Sequence, residues 1–305
     1  MEIKDTAIIG MGALGVLYGS HIRKQCKNDA VCFVMDEMRA EKYKDAVVTC
    51  NGEKQQFRIV ADSEAKPVDL VIVAVKYTGL HEALEVMKNC VGENTTIISV
   101  LNGISSEEII GARYGMEKIV YTVAQGMDAM KFANVLNYTR MGNLHIGKTK
   151  DCDPERFDAL VRFFEAIRLP YIHEEDILYR MWGKFMLNVG INQTCMVYQT
   201  TYSGALSRGA ANRTLIAAMR EVIALANAEG VALSEKDLND YIEVIKTLKP
   251  EGTPSMGQDR INKRASEVEL FAGTVIALAK KHGLYVPENK FLLERVREIE
   301  KGYVG

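Results

Sequence analysis

The chain has 305 residues, 48% of them hydrophobic and 26% charged, with a formal net charge of −2, the profile of a globular protein long enough for two medium domains. So small a charge leaves no electrostatic footprint for nucleic acid or an anionic membrane surface, and no apolar run approaches the length of a bilayer span. The six cysteines (Cys26, Cys32, Cys50, Cys90, Cys152, Cys195) are scattered, with no CxxC and no zinc-ligand spacing to the five histidines, which predicts reduced thiols in a cytoplasmic protein, no disulfide framework and no metal site.

The N-terminal "MEIKDTAIIGMG" runs straight into strand and turn, with no signal peptide expected. "TAIIG" (6–10) reads as a strand, "ALGVLYGSHIRKQ" (13–25) as an amphipathic helix and "AVCFVM" (30–35) as a second strand. "VVTCNGEKQQFRIV" (47–60) reads as a hairpin around a type I′ Asn51-Gly52 turn. "DLVIVAVK" (69–76), "TTIISVLNG" (95–103) and "KIVYTVAQ" (118–125) are near-continuous apolar runs of the kind buried on both faces of a parallel sheet. Strands alternating with helices predict an open α/β sheet with right-handed crossovers.

After about residue 150 the period changes. Asp153-Pro154 opens a helix to about Arg168, and "LPYIH" (169–173) is a last strand and hinge. Helices follow over about 176–199 and 209–229, the latter stopped by Gly230, and from Ser234 to about 248. "LKPEGTPSMG" (248–257) reads as a loop. Ser266 and Glu269 read as a capping box for a helix ending in "KKHG". The expected division is a dinucleotide-binding α/β domain over 1–170 and an all-α domain over 171–305.

"GMGALG" (10–15) matches G-x-G-x-x-G and lies where the mechanism needs it, after the first strand and opening the first helix. Gly10 permits the tight turn, Gly12 lets a pyrophosphate approach the backbone, and Gly15 lets the helix pack close to the strand; Met11, Ala13 and Leu14 complete the loop. Asp36 ends the second strand, where an acidic residue receives the adenine-ribose 2′-hydroxyl of NAD. A carboxylate there repels the 2′-phosphate of NADP, while Arg39 three residues on supplies a counter-charge, so the choice of cofactor stays open. Asp36 as a plain turn former before a helix is the alternative reading. Lys76 and Asn102 end two of the apolar strands, and carboxyl ends of parallel strands line the ligand crevice. Asn102-Gly103 is also a common turn pair.

In "RMWGKFMLNVGINQT" (180–194), Lys184, Asn188 and Asn192 recur every four residues. On a helix they fan across about 80° of surface, a polar stripe that must face water or a polar cavity. An amphipathic helix with a solvated edge explains the lysine, but it explains two asparagines, mediocre helix formers, poorly.

These pieces occur in one order: "GMGALG", "AVK" with Lys76, "LNG" with Asn102, "GNLHIG" (142–147), the Lys-x3-Asn-x3-Asn helix, "PSMGQD" (254–259) and "RASEVELFAGTVIALAKKHGLYVPEN" (264–289). In that order the chain resembles the 2-dehydropantoate 2-reductase (ketopantoate reductase) family over nearly its whole length. The resemblance implies a Rossmann-type N-terminal domain and a helical second domain like the C-terminal domain of 6-phosphogluconate dehydrogenase. It implies reduction of 2-dehydropantoate to pantoate, a pantothenate precursor, with substrate in a cleft between the domains, and the two-domain layout itself suggests closure about "LPYIH".

By that resemblance Lys184 is the catalytic lysine that polarises the keto oxygen and donates its proton. Asn188, Asn192 and Ser255 bind substrate, Asn102 touches cofactor and substrate, and Glu267 lies near the nicotinamide ribose and the lysine. The chemistry agrees: hydride arriving at a keto carbon builds charge on oxygen, which an ammonium about 3 Å away stabilises. Burial lowers a lysine's pKa towards the useful range and a nearby glutamate raises it again. Glu267 read without the resemblance is a first-turn acid favoured by the helix dipole, Ser255 a loop serine, and His145 a structural residue with no base partner.

Two departures stand out. The family usually prefers NADPH, with a basic residue where this chain has Asp36, so NADP(H) is implied by resemblance and NAD(H) by Asp36. Ser203-Gly204 stands where some members carry a substrate-contacting Asn-Gly. The competing functions are reduction of another small 2-oxo acid and a non-catalytic dinucleotide sensor. Hydroxyacyl and sugar-phosphate dehydrogenases are disfavoured because no His–Glu pair or basic phosphate cluster is legible in the helical domain. A homodimer is expected by resemblance, with a monomer as the alternative.

Overall fold

Thr6–Ile9 (β1) is buried at every position, as an alternating side-chain pattern demands of a strand covered on both faces. The computed structural model describes residues 1–26 and 30–303, which divide into two units, Met1–Ile177 and Leu178–Gly305. In the first, β1 leads into α1 (Ala13–Gln25), β2 (Val31–Met35), α2 (Glu37–Tyr43), β3 (Val47–Cys50), β4 (Glu53–Gln56) and β5 (Arg58–Ala61). Then come β6 (Leu70–Val73), α3 (Leu80–Val86), β7 (Thr96–Ser99), α4 (Ser106–Tyr114), β8 (Tyr121–Gln125), β9 (Met130–Phe132), β10 (Val135–Asn137), β11 (Asn143–Gly147), α5 (Pro154–Ala166) and β12 (Tyr171–His173).

Five strands form the parallel sheet expected, in the order β5-β2-β1-β6-β7. Pairing aligns Ile59, Phe33, Ile8, Ile72 and Ile98 in one row, and α1 packs so close to it that a Cβ at Gly19 would lie 3.0 Å from Phe33. From β1 the chain winds outward in both directions. The carboxyl ends of β1 and β6 therefore flank a topological switch point, the usual ligand crevice of such sheets.

The first unit departs from the sequence expectation in several places. The Asn51-Gly52 turn forms, both residues having positive φ (46° and 85°), but the hairpin ends at Gln56. Phe57 turns inward to meet Phe33 edge-on at 5.0 Å, which frees Arg58–Ala61 to join the main sheet as its edge. The run 118–125 touches that sheet through one parallel bridge, Ile97 to Ile119. It then pairs antiparallel with β11 in a separate three-stranded sheet, β12-β11-β8. Two short strands, β9 and β10, escaped the sequence pattern and complete a third sheet, β4-β3-β10-β9. Because β12 pairs in parallel with β11, the first unit continues past residue 170 to Ile177.

The second unit holds only helices among its described residues. They are α6 (Ile177–Tyr198), α7 (Tyr202–Leu206), α8 (Ala210–Ala228), α9 (Glu235–Lys246), α10 (Ser255–Ile261), a π-helical turn (Glu269–Gly273), α11 (Thr274–His282) and α12 (Pro287–Lys301). Gly183 and Gly190 let α6 approach its neighbours closely. A Cβ at either would lie 2.6 Å from Tyr241 on α9 or 2.5 Å from Met219 on α8. The expected loop 248–257 ends early, since Ser255 already begins α10. The Ser266–Glu269 capping box does not form. Glu269 is drawn to Arg297 (2.8 Å), while the Ser266 amide donates to Glu300 (2.7 Å). The last helix, α12, had no separate place in the sequence reading. No described helix is long and apolar enough to cross a membrane.

Candidate active site

In the first unit the glycine turn follows β1. Gly10 has φ +105°, and a Cβ there would lie 2.6 Å from the Ala74 carbonyl oxygen; a Cβ on Gly15 would lie 2.0 Å from the Gly10 oxygen. Both are required by the protein's own backbone. Gly12 is different: its nearest neighbour would be 3.7 Å away, an ordinary contact, and its φ of −76° suits any residue. Nothing in the protein crowds Gly12, so its lack of a side chain leaves space for a ligand. No side chain caps α1 and no acid lies in its first turn, so the amides and positive dipole end beside Met11, Ala13 and Leu14 suit an anion. The turn therefore fits a dinucleotide pyrophosphate.

Asp36 follows β2 and caps α2, its Oδ1 accepting from the Arg39 amide at 2.9 Å. The turn-forming reading is thus realised at the same position at which a ribose would be read. Its Oδ2 also lies 2.6 Å from Arg39 Nε, an ionic contact without hydrogen-bond geometry. The Arg39 guanidinium reaches Glu82 as well, in the first turn of α3. Lys76 and Asn102 do not end strands. β6 stops at Val73 and β7 at Ser99, and each residue lies three positions further on. Lys76 is exposed before a single 3₁₀ turn, and Asn102 is half-buried before Gly103, whose φ is +93°.

A chain of hydrogen bonds that the sequence did not suggest closes the Asn102 loop. The Leu101 amide donates to Ser99 Oγ (3.3 Å), Ser99 and Ser106 hydroxyls meet at 2.8 Å, and Ser106 Oγ donates to Glu107 (2.7 Å). In sequence Glu107 looks like any first-turn acid, yet it is only 1% exposed, and burial pushes its carboxyl up to about 7. The native state therefore holds a proton that the unfolded chain releases near 4.5. This contribution to stability is complete below pH 4.5 and lost as the pH rises through about 7. Glu107→Gln should flatten the fall in stability between pH 5 and 8, a gain of about 3 kcal/mol at the alkaline end. Urea unfolding at several pH values checks this, and parallel curves for the two proteins would contradict it.

In the second unit Lys184 and Asn188 are half-buried on α6, while Asn192 is 5% exposed. Asn192 Nδ2 donates to Ser255 Oγ at 3.4 Å, joining two predicted substrate residues 63 positions apart. Arg260 holds α10 in place by donating to the carbonyls of Met196 and of Val197 (3.4 Å) at the end of α6, where helix carbonyls lack partners. Met256 and Gly257 are buried beneath the exposed Ser255. The departing pair Ser203-Gly204 lies on α7, whose first amides donate to Gly252 and Pro250 (both 3.0 Å) in the loop that leads to Ser255. Glu267 is half-buried immediately before the helical segment, its carbonyl accepting from Phe271 N at 3.1 Å.

Two histidine readings need correction. His145 does have a carboxylate partner, Glu174 Oε1 at 2.6 Å from Nδ1. The helical unit also contains a His–Glu pair, His282 Nε2 and Glu229 Oε1 at 2.5 Å. Lys281 shares that oxygen at 2.6 Å, and the hydrogen bonds from Lys281 and His282 hold the Glu229 carboxyl below its ordinary range. This carboxylate ties together two helix C-termini, so the absence of such a pair is no longer an argument against other dehydrogenases. Among the described residues, no group of three or more His, Cys, Asp or Glu is placed to hold a metal ion.

Comparison with known proteins agrees with this layout. The family model for ketopantoate reductase PanE/ApbA matches residues 6–151, and that for its C terminal matches 176–300. A 2-dehydropantoate 2-reductase of Streptococcus pyogenes serotype M1 is 24% identical over 298 residues, covering 96% of this chain and 97% of its own. The crystal structure of a PanE/ApbA family ketopantoate reductase from Ralstonia eutropha JMP134 superposes with TM-score 0.82 at 22% identity, over 99% and 100% of the two chains. D-mandelate dehydrogenase, solved with NADH and anilino(oxo)acetate, superposes with TM-score 0.86 at 22% identity, over 98% and 99%. With a parallel-sheet Rossmann-type domain, a helical second domain and both halves of the family model matched along its length, the chain belongs to the ketopantoate reductase family.

Proposed function

We propose that this chain reduces the keto group of a small 2-oxo acid with a nicotinamide dinucleotide, and that 2-dehydropantoate, giving pantoate for pantothenate synthesis, is its substrate. The observation that carries the reading is the α6 stripe, Lys184, Asn188 and Asn192, with Asn192 meeting Ser255. When bound, the reduced nicotinamide supplies hydride to the keto carbon. The remaining tasks fall to side chains.

Gly10, Met11, Gly12, Ala13, Leu14 and Gly15 hold the pyrophosphate, Asp36 receives the adenine ribose, and Lys76 and Asn102 contact the cofactor, Asn102 touching substrate as well. Lys184 polarises the keto oxygen and gives it a proton as its negative charge develops, so the alcohol leaves neutral. Asn188, Asn192 and the Ser255 hydroxyl bind the substrate's carboxylate and hydroxyl oxygens without adding charge, and Glu267 orients Lys184 and the nicotinamide ribose. A sensor that only binds the dinucleotide has no use for a proton donor flanked by two asparagines.

Ser255→Ala tests the substrate role with little risk to the fold, because Ser255 is exposed. One lost hydrogen bond to a charged group should raise KM for the 2-oxo acid about tenfold, with cofactor KM unchanged; equal KM values would remove Ser255 from the site. Ser203-Gly204, beside the Ser255 loop, favours a second reading in which another 2-oxo acid is the substrate; a fold relative, D-mandelate dehydrogenase, is solved with anilino(oxo)acetate. Cofactor oxidation followed across a panel of 2-oxo acids decides between them. The highest kcat/KM with ketopantoate supports the proposal, and a higher value with an aromatic or straight-chain acid replaces it.

A further inference from the structure

Glu82 lies outside the motifs that carry the family resemblance, yet it holds the cation beside the acid that follows β2. Asp36 lies beyond β2 and Glu82 opens the helix beyond β6, so the two flank the β1 glycine turn at the carboxyl edge of the sheet. Arg39 is held from both sides, by Asp36 Oδ2 at 2.6 Å and by Glu82. The depression beside Asp36 is further lined by Glu37, Asp62 and Lys88. Arg39 is thus shared by Asp36 and Glu82, next to a depression that adds two more carboxylates and one lysine.

We propose that the ion-pair chain Asp36–Arg39–Glu82 makes this protein select NADH over NADPH, with Glu82 the residue that withholds Arg39 from a 2′-phosphate. The inference rests on the reading that the glycine turn binds a nicotinamide dinucleotide. A 2′-hydroxyl donates to the Asp36 carboxylate and leaves the chain intact. A 2′-phosphate instead brings a dianion against Asp36, and it gains Arg39 only by breaking the contacts to two carboxylates. Arg39 and Glu82 are each about half exposed (51% and 54%), so the pair itself contributes little to stability. Its effect is on which anion the guanidinium meets.

Equilibrium binding by calorimetry reads this without turnover, using NADH, NADPH, and AMP against adenosine 2′,5′-bisphosphate to report the ribose end alone. The wild type should bind NADH about tenfold more tightly than NADPH or better, as repulsion between like charges about 5 Å apart requires. Glu82→Gln should raise affinity for the bisphosphate and for NADPH about threefold to fivefold, the scale of one exposed ion pair, while leaving AMP and NADH unchanged. That gain should vanish in Glu82→Gln/Arg39→Ala. Equal or tighter binding of NADPH by the wild type overturns the proposal. A Glu82→Gln effect shared by AMP, or one that survives the loss of Arg39, overturns it as well. Binding of none of the four ligands overturns the cofactor reading itself, and this inference with it.

Discussion

Replacing Lys184 by alanine should lower kcat about 10³-fold, the scale on which a positioned general acid contributes, equivalent to about 4 kcal/mol of transition-state stabilisation. Alanine can neither donate a proton nor stabilise the oxygen that gains charge as hydride arrives. Cofactor affinity should change little, because the residues proposed to hold the pyrophosphate and the adenine ribose, Gly10 to Gly15 and Asp36, are left intact. Lys184→Arg keeps the charge but not the compact ammonium, and its guanidinium holds its proton too strongly to give it up at neutral pH. It should recover little of the loss in kcat. Steady-state kinetics of the three proteins checks this. A kcat within fivefold of wild type in Lys184→Ala would remove the lysine from the chemistry.

The glycine turn yields the second large effect, as a contrast between two neighbours. Gly15→Ala places a methyl 2.0 Å from the Gly10 carbonyl oxygen, where both sides are backbone. Neither can step aside, so the cost should be at or above the upper end of overpacking, about 3 kcal/mol, and cofactor affinity should fall with the displaced turn. Gly12→Ala meets nothing nearer than 3.7 Å, and stability should change by less than about 0.5 kcal/mol, as for an ordinary surface substitution. Cofactor binding should nevertheless fall, about 100-fold if the new methyl occupies the space of the pyrophosphate and removes two of its hydrogen bonds. Thermal unfolding with parallel nucleotide titration separates the cases. A Gly12→Ala protein that binds normally would mean that the open space at Gly12 is not where the dinucleotide lies.

Much of this was legible in the sequence where the signal is local. Adjacent residues set the Asn51-Gly52 turn, the Asp153-Pro154 helix start and the glycine turn. The four-residue period put Lys184, Asn188 and Asn192 on one helix face without reference to the rest of the chain. What failed depended on partners distant in sequence. Glu269 is three residues from Ser266, the right spacing for a capping box, but Arg297 competes for it. The apolar run 118–125 has the composition of a central parallel strand, and composition does not say whether a neighbour runs parallel or antiparallel.

The contact between Asn192 and Ser255 could be expected only from the resemblance, since nothing in a serine beside a proline marks it as a partner. Glu82 and Glu107 were invisible for a related reason. A first-turn acid is favoured by the helix dipole wherever a helix starts, so its residue type does not distinguish a solvated side chain from one held by Arg39 or buried beneath a sheet.

The most direct test is the loss of nicotinamide absorbance on adding ketopantoate, for the wild type and Lys184→Ala, each with NADH and with NADPH. The account predicts rapid oxidation by the wild type, faster with NADH, and a collapse in the variant although it still binds cofactor. Tight cofactor binding by the wild type, with no oxidation by ketopantoate or any other 2-oxo acid, would contradict the assignment of the α6 stripe to catalysis.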